Sequence, residues 1–131
     1  MATIGAVTLT IVTNVANADI TCKYSLTGSA FDIASGQPYR EVCQLRGDDT
    51  GIVPPEDNVD DTIVNGLLTP LFAPPVVFPN ALPINRVRTK TIAKANLNED
   101  VGVDEIRALV TLTPVAASAT QRESNQVTGT F

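Results

Sequence analysis

The sequence predicts an all-β fold: an antiparallel sandwich or small barrel of about six to eight strands, with an extended proline-rich arm and at most one short helix. Three observations predict it. Apolar residues recur at nearly every second position through the first 27 residues, the period of a strand buried on one face. The same alternation returns over 38–46, 84–97 and 105–113. Finally, five prolines interrupt the apolar stretch from Leu67 to Pro83. Proline lacks an amide hydrogen and fixes φ, so that stretch is neither a helix nor a central strand.

In the first strand Val7, Leu9, Ile11 and Val15 share one face, with Thr8, Thr10 and Asn14 mostly opposite. In the second, Ile20, Cys22, Tyr24 and Leu26 alternate with Thr21, Lys23, Ser25 and Thr27. Segment 28–37 contains two glycines and two serines and reads as a loop. The strand Pro38–Arg46 then puts Tyr39, Cys43 and Leu45 on one face, with Glu41 the exception, and Arg40, Gln44 and Arg46 on the other. If Thr27 pairs with Pro38, antiparallel counting sets Cys22 opposite Cys43 on the apolar face. Two readings of that pair stand. They are buried free thiols packing as small hydrophobes, or a disulfide whose loop of about 20 residues adds about 3 kcal/mol under the chain-entropy model.

Segment 47–61 is acidic and turn-rich, with Asp48, Asp49, Glu56, Asp57, Asp60 and Asp61 around Pro54-Pro55. Asp57, Asp60 and Asp61 are the candidate ligands for calcium, although their spacing is not that of an EF-hand loop. A solvated acidic loop is the simpler reading. Asn58–Leu68 allows a short helix with Asn58 as N-cap and a Val59/Ile63/Leu67 stripe, which Gly66 limits. The arm that follows, 67–83, must run extended, yet its side chains need cover. It either wraps over its own sheet or packs on a neighbouring copy, through Leu71, Phe72, Val76, Val77, Phe78 and Leu82.

Segments 84–97 and 105–113 read as a hairpin. Pairing Leu97 with Ile106 sets Ala95, Ala93 and Thr91 opposite Ala108, Val110 and Leu112, an apolar face along both strands. That phase turns Arg86, Arg88, Lys90 and Lys94 outward as a basic stripe, suited to phosphates or to an acidic partner. The stripe lacks interleaved aromatics, which argues against nucleic acid. After Pro114 the periodicity fades. The domain is therefore 1–113, followed by a tail or terminal strand, 114–131, ending in Phe131 as an anchor on another subunit or as a frayed end.

Composition narrows the function. The chain has 131 residues, enough to bury a core without staples. Its net charge of −5 argues against a generally basic nucleic-acid-binding surface. Histidine is absent, which removes the usual neutral-pH general base and the commonest nitrogen ligand for a metal. With two cysteines and no histidine, a zinc site within one chain is out of reach. No P-loop, GxGxxG, GxSxG or CxxC motif occurs. The N-terminal stretch has no basic start and no continuous apolar run, and no segment approaches a membrane span. These features point to a chain made in the cytoplasm without a signal peptide.

The expectation is a non-enzymatic structural protein without cofactor that assembles with copies of itself, and with other structural proteins of an assembly. A virion coat, decoration or tail component is an object of this kind. The alternative is a monomeric β-sandwich that recognises a protein or glycan through the loops 28–37, 47–61 and 98–104.

Overall fold

The alternation is realised as nine strands among the described residues: β1 (Thr3–Ile4), β2 (Thr8–Thr13), β3 (Asn17–Thr27), β4 (Tyr39–Gly47), β5 (Asp61–Leu67), β6 (Ile84–Ala93), β7 (Asp104–Pro114), β8 (Thr120–Glu123) and β9 (Val127–Gly129). A short helix, α1 (Ala30–Ser35), and a 3-10 turn at Lys94–Leu97 complete the elements. The computed structural model describes residues 1–47, 61–70, 72–98, 104–115 and 120–131. The strands form two antiparallel sheets, so the architecture is the predicted sandwich. In one sheet β3 lies between β6 and the edge shared by β1 and β2; in the other the order is β5-β4-β7, with β8 and β9 both on the far side of β7. Nine strands exceed the expected six to eight because the first and last segments each divide in two.

The core is the inner faces of the long central strands. Ala18, Ile20, Cys22, Tyr24 and Leu26 of β3 face Tyr39, Glu41, Cys43 and Leu45 of β4 and Ile106, Ala108, Val110 and Leu112 of β7, all buried. One edge of the sandwich is stitched shut. Asn125 accepts from the Leu9 amide at 2.7 Å and donates to the Leu9 carbonyl at 3.1 Å. Val7 and Ser124 form a parallel bridge beside it. The stretch 120–131 is thus tied to its own sandwich, and Phe131 packs against the chain's own core.

Several sequence expectations are corrected. Strands 18–27 and 38–46 are not a hairpin: β3 pairs with β2 and β6, and β4 pairs with β5 and β7. Cys22 and Cys43 therefore belong to different sheets and meet across the layer, both buried and free. Segments 84–97 and 105–113 are not a hairpin either. Lys94–Leu97 turns the chain from one sheet to the other, and Ala108 and Val110 pair with Leu45 and Cys43. Alternation shows that a strand has two faces but not which neighbour it takes.

The helix expected over 58–68 is strand β5 across its described part, with Asn65 at φ 59 inside a register shift against β4. Asn-Gly is the dipeptide that tolerates left-handed backbone, and a Cβ on Gly66 would lie 2.9 Å from the Ile63 carbonyl oxygen. Conversely, the loop expected at 28–37 holds α1. Ser29 and Asp32 form a reciprocal capping box, and Gly36 closes the helix at φ 65. Val15, expected on the apolar face, stands fully exposed at the β2–β3 turn, where the Asn14 side chain accepts the amides of Ala16 and Asn17.

The arm divides its work. Val76 bridges Tyr39 through reciprocal backbone bonds of 2.8 Å. Phe78 is 1% exposed and meets the Tyr39 ring edge-on at 5.7 Å. These two side chains are covered within the chain and are withdrawn from the expected set of intersubunit contacts. Phe72, Val77 and Leu82 remain exposed, and Leu71 lies outside the described residues.

Candidate functional site

The functional geometry centres on the residue that broke the pattern of β4. Glu41 is on the inner face, buried at 8% exposure. A buried carboxylate needs partners in proportion to its lost hydration, and Glu41 has three. Arg86 Nε donates to Oε1 at 3.1 Å. Arg88 Nη2 donates to Oε2 at 3.0 Å. The Tyr24 hydroxyl donates to the same Oε2, and Arg88 Nε reaches the Tyr24 oxygen at 3.4 Å. Burial and the Glu41 carboxylate push the Tyr24 phenol above its ordinary range. It is a fixed hydrogen-bond donor rather than a base.

The register explains why these groups meet. In the β3–β6 ladder Arg86 stands beside Tyr24, Arg88 beside Cys22 and Lys90 beside Ile20. Every one of those β3 partners faces the core. Arg86, Arg88 and Lys90 therefore lie on the inner face, the opposite phase from the outward stripe that the hairpin implied. Arginine and lysine stems can lie along apolar surface while their heads reach a rim. Among the described residues β6 pairs with β3 alone, at the sheet edge, where inward-pointing charges also block edge-to-edge association. The stripe is not continuous. The Lys90 ammonium is bound to the Leu67 carbonyl at 3.1 Å, and Lys94 begins the 3-10 turn.

A cleft opens over this cluster because the arm detaches from β4 and returns. Leu68 is hydrogen-bonded to the Cys43 carbonyl at 2.8 Å, and Val76 rejoins the strand at Tyr39. Between these two attachments the described arm residues Pro70 and Phe72–Pro75 face β4 residues 40–42 across a gap. The resulting cleft has a volume of about 950 Å³, within the range of small-ligand sites. Its charged wall is Arg40, Glu41, Arg86 and Arg88, and its apolar rim includes Phe72, Pro74, Pro75 and Val115. Side chains of Arg86 and Arg88 keep 30% and 20% exposure, whereas Glu41 keeps 4%.

Below the cleft, the facing strands bring the buried thiols of Cys22 and Cys43 together, next along the layer from Tyr24 and Glu41. The neighbouring Cys22, together with burial, pushes the Cys43 thiol up. The structure thus brings together Arg86, Arg88 and the cysteine pair, and leaves Lys94 and Phe131 apart from them. Of the other candidates, Asp57 and Asp60 lie outside the described residues, as does the side chain of Asp61. So does most of the loops 47–61 and 98–104. No cluster of metal-ligating side chains occurs among the described residues. No helix among them is long and apolar enough to cross a membrane.

Sequence reasoning missed Tyr24 and Glu41 as site residues. Only the phase anomaly at Glu41 pointed there. No protein-family model, curated protein or solved structure matches this chain.

Proposed function

We propose that this chain is a non-enzymatic structural subunit that assembles with copies of itself, using the exposed side of the arm as its contact surface. The observation that carries the reading is Phe72. Its ring is 96% exposed on a stretch tied to the chain's own sheet on both sides, at Leu68 and at Val76. Val77 and Leu82 extend the apolar side of the arm at 49% and 70% exposure. Burying one such ring is worth about 1.5–3 kcal/mol, and an aromatic side chain is a common anchor of protein interfaces. A virion component is one object built on this plan. The stretch 120–131, committed to its own sandwich, takes a smaller part than the arm.

Sedimentation velocity of the full chain over a range of concentrations tests this. The expected result is a concentration-dependent oligomer that Phe72→Ser dissociates, with the thermal stability of the dilute monomer unchanged, since the ring makes no contribution to the core. A monomer at every concentration overturns self-assembly. An oligomer that persists unchanged in Phe72→Ser overturns the arm as its contact.

A further inference from the structure

We propose that the cleft between β4, β6 and the arm is a docking site for an acidic polypeptide segment, whose carboxylates are received by Arg40, Arg86 and Arg88. This docking goes beyond self-assembly through the arm, with which it shares Phe72 at the rim.

The cluster at the cleft floor is not neutral. Two guanidinium groups face one buried carboxylate, and Arg40, exposed on the outer face of β4, adds a third positive charge at the cleft's open edge. The wall carries three cations against Glu41, in a chain whose overall charge is −5. A local excess of one sign in a recess is focused by the low-dielectric walls around it and attracts the opposite charge. Glu41 does not consume the available donors. It engages Arg86 through Nε, which leaves that guanidinium's terminal nitrogens for a second partner. The guanidinium fork matches a carboxylate in a two-bond geometry. Because Glu41 and Tyr24 lock the planes of Arg86 and Arg88 beforehand, little side-chain entropy remains to be lost on binding.

Carboxylate is favoured over phosphate by the same geometry. The Glu41 charge sits within the cluster and repels a dianion more than a monoanion. Lys90 is spent on a backbone carbonyl and Lys94 lies off the strand, so no basic track continues from the cleft along which a nucleic-acid backbone could run. The rim supplies Phe72, Pro74, Pro75 and Val115, a surface for apolar side chains interspersed between the acids of a peptide. Its one aromatic ring is a poor platform for stacking successive bases.

The test is fluorescence anisotropy with the full chain and a labelled peptide of aspartate pairs separated by valines. Parallel titrations use the same peptide with asparagine for aspartate, a labelled oligothymidine, and inorganic phosphate as competitor. The expected result is saturable binding of the acidic peptide that weakens with salt. It should fall by about tenfold or more in Arg86→Gln and in Arg40→Gln, with Arg46→Gln unaffected. Arg40→Gln leaves the buried cluster intact and so guards against misfolding of the first variant. Absence of binding overturns the proposal, as does equal binding of the asparagine peptide or equal affinity in both cleft variants. Tighter binding of oligothymidine, or displacement by phosphate at concentrations that ionic strength alone does not explain, reassigns the cleft to phosphate ligands. Self-assembly is read separately by sedimentation, so either proposal can fail alone.

Discussion

Among the described residues Glu41 and Asp32 are the buried carboxylates, and both show how a single charge is made tolerable inside this sandwich. Asp32 is 1% exposed. It accepts from the Ser29 amide at 2.9 Å, from the Ser29 hydroxyl at 2.8 Å, and from the Tyr39 hydroxyl. Burial alone would raise its proton affinity. The bonds from Tyr39 and Ser29 outweigh that and hold the carboxyl below the usual aspartate range. A depressed folded-state value stabilises the fold above the unfolded value, near 3.9. That contribution is lost as pH falls through the folded value. Asp32→Asn should therefore cost about 1–2 kcal/mol at neutral pH, and the gap from the parent should close below about pH 4. Urea titrations of both chains across pH measure it; a gap independent of pH would refute the assignment. At this scale Glu41 was legible in the sequence as a charge on an apolar face. Its partners were not, because they come from strands 17 and 45 residues away.

Among the elements, the arm is the part whose sequence was most open. Alternation cannot be read through five prolines, so only the structure separates side chains that fill the core from those that project. Phe78 fills it: a Cβ on Gly28 would come within 2.6 Å of it, which is why glycine stands there. Phe78→Ala should cost about 3–5 kcal/mol, whereas Leu82→Ala, at 70% exposure, should change stability by less than about 0.5 kcal/mol. Equal losses in denaturant titrations would contradict this division. The helix α1 teaches the converse lesson. Its start and stop signals, Ser29, Asp32 and Gly36, are all present in the sequence, but the small and polar residues of 28–37 have the composition of a loop. β5 shows the limit of stripe counting. Val59, Ile63 and Leu67 fit a helical face, yet the Asn65-Gly66 pair bends the segment into the ladder of β4.

For the whole molecule, the decisive feature is how the two sheets are joined. One edge is closed by Asn125, which supplies both backbone partners that Leu9 would otherwise lack. The other, where β6 stands, holds the charged cleft. Asn125→Ala should free the Leu9 amide and leave Cys22 in the middle of the sheet protected. Hydrogen exchange followed residue by residue checks this: a large acceleration at Leu9 with little at Cys22 is expected, and an unchanged Leu9 amide would show that the stitch is dispensable.

The sequence by itself determined the all-β class, the long strands and most of the inward faces, because these depend on local period and on where apolar side chains fall. It also carried the absence of histidine and the acidic balance. Tertiary structure alone decided which strands pair, that Cys22 and Cys43 meet across the layer, and that Arg86 and Arg88 turn toward Glu41. Pairing between distant strands depends on contacts over long separations in the chain, and a period of two leaves either face and several neighbours open. An edge position let long cationic side chains take the inner face while their heads stayed at the rim. That reversal of phase turned an apparent surface stripe into the wall of a cleft.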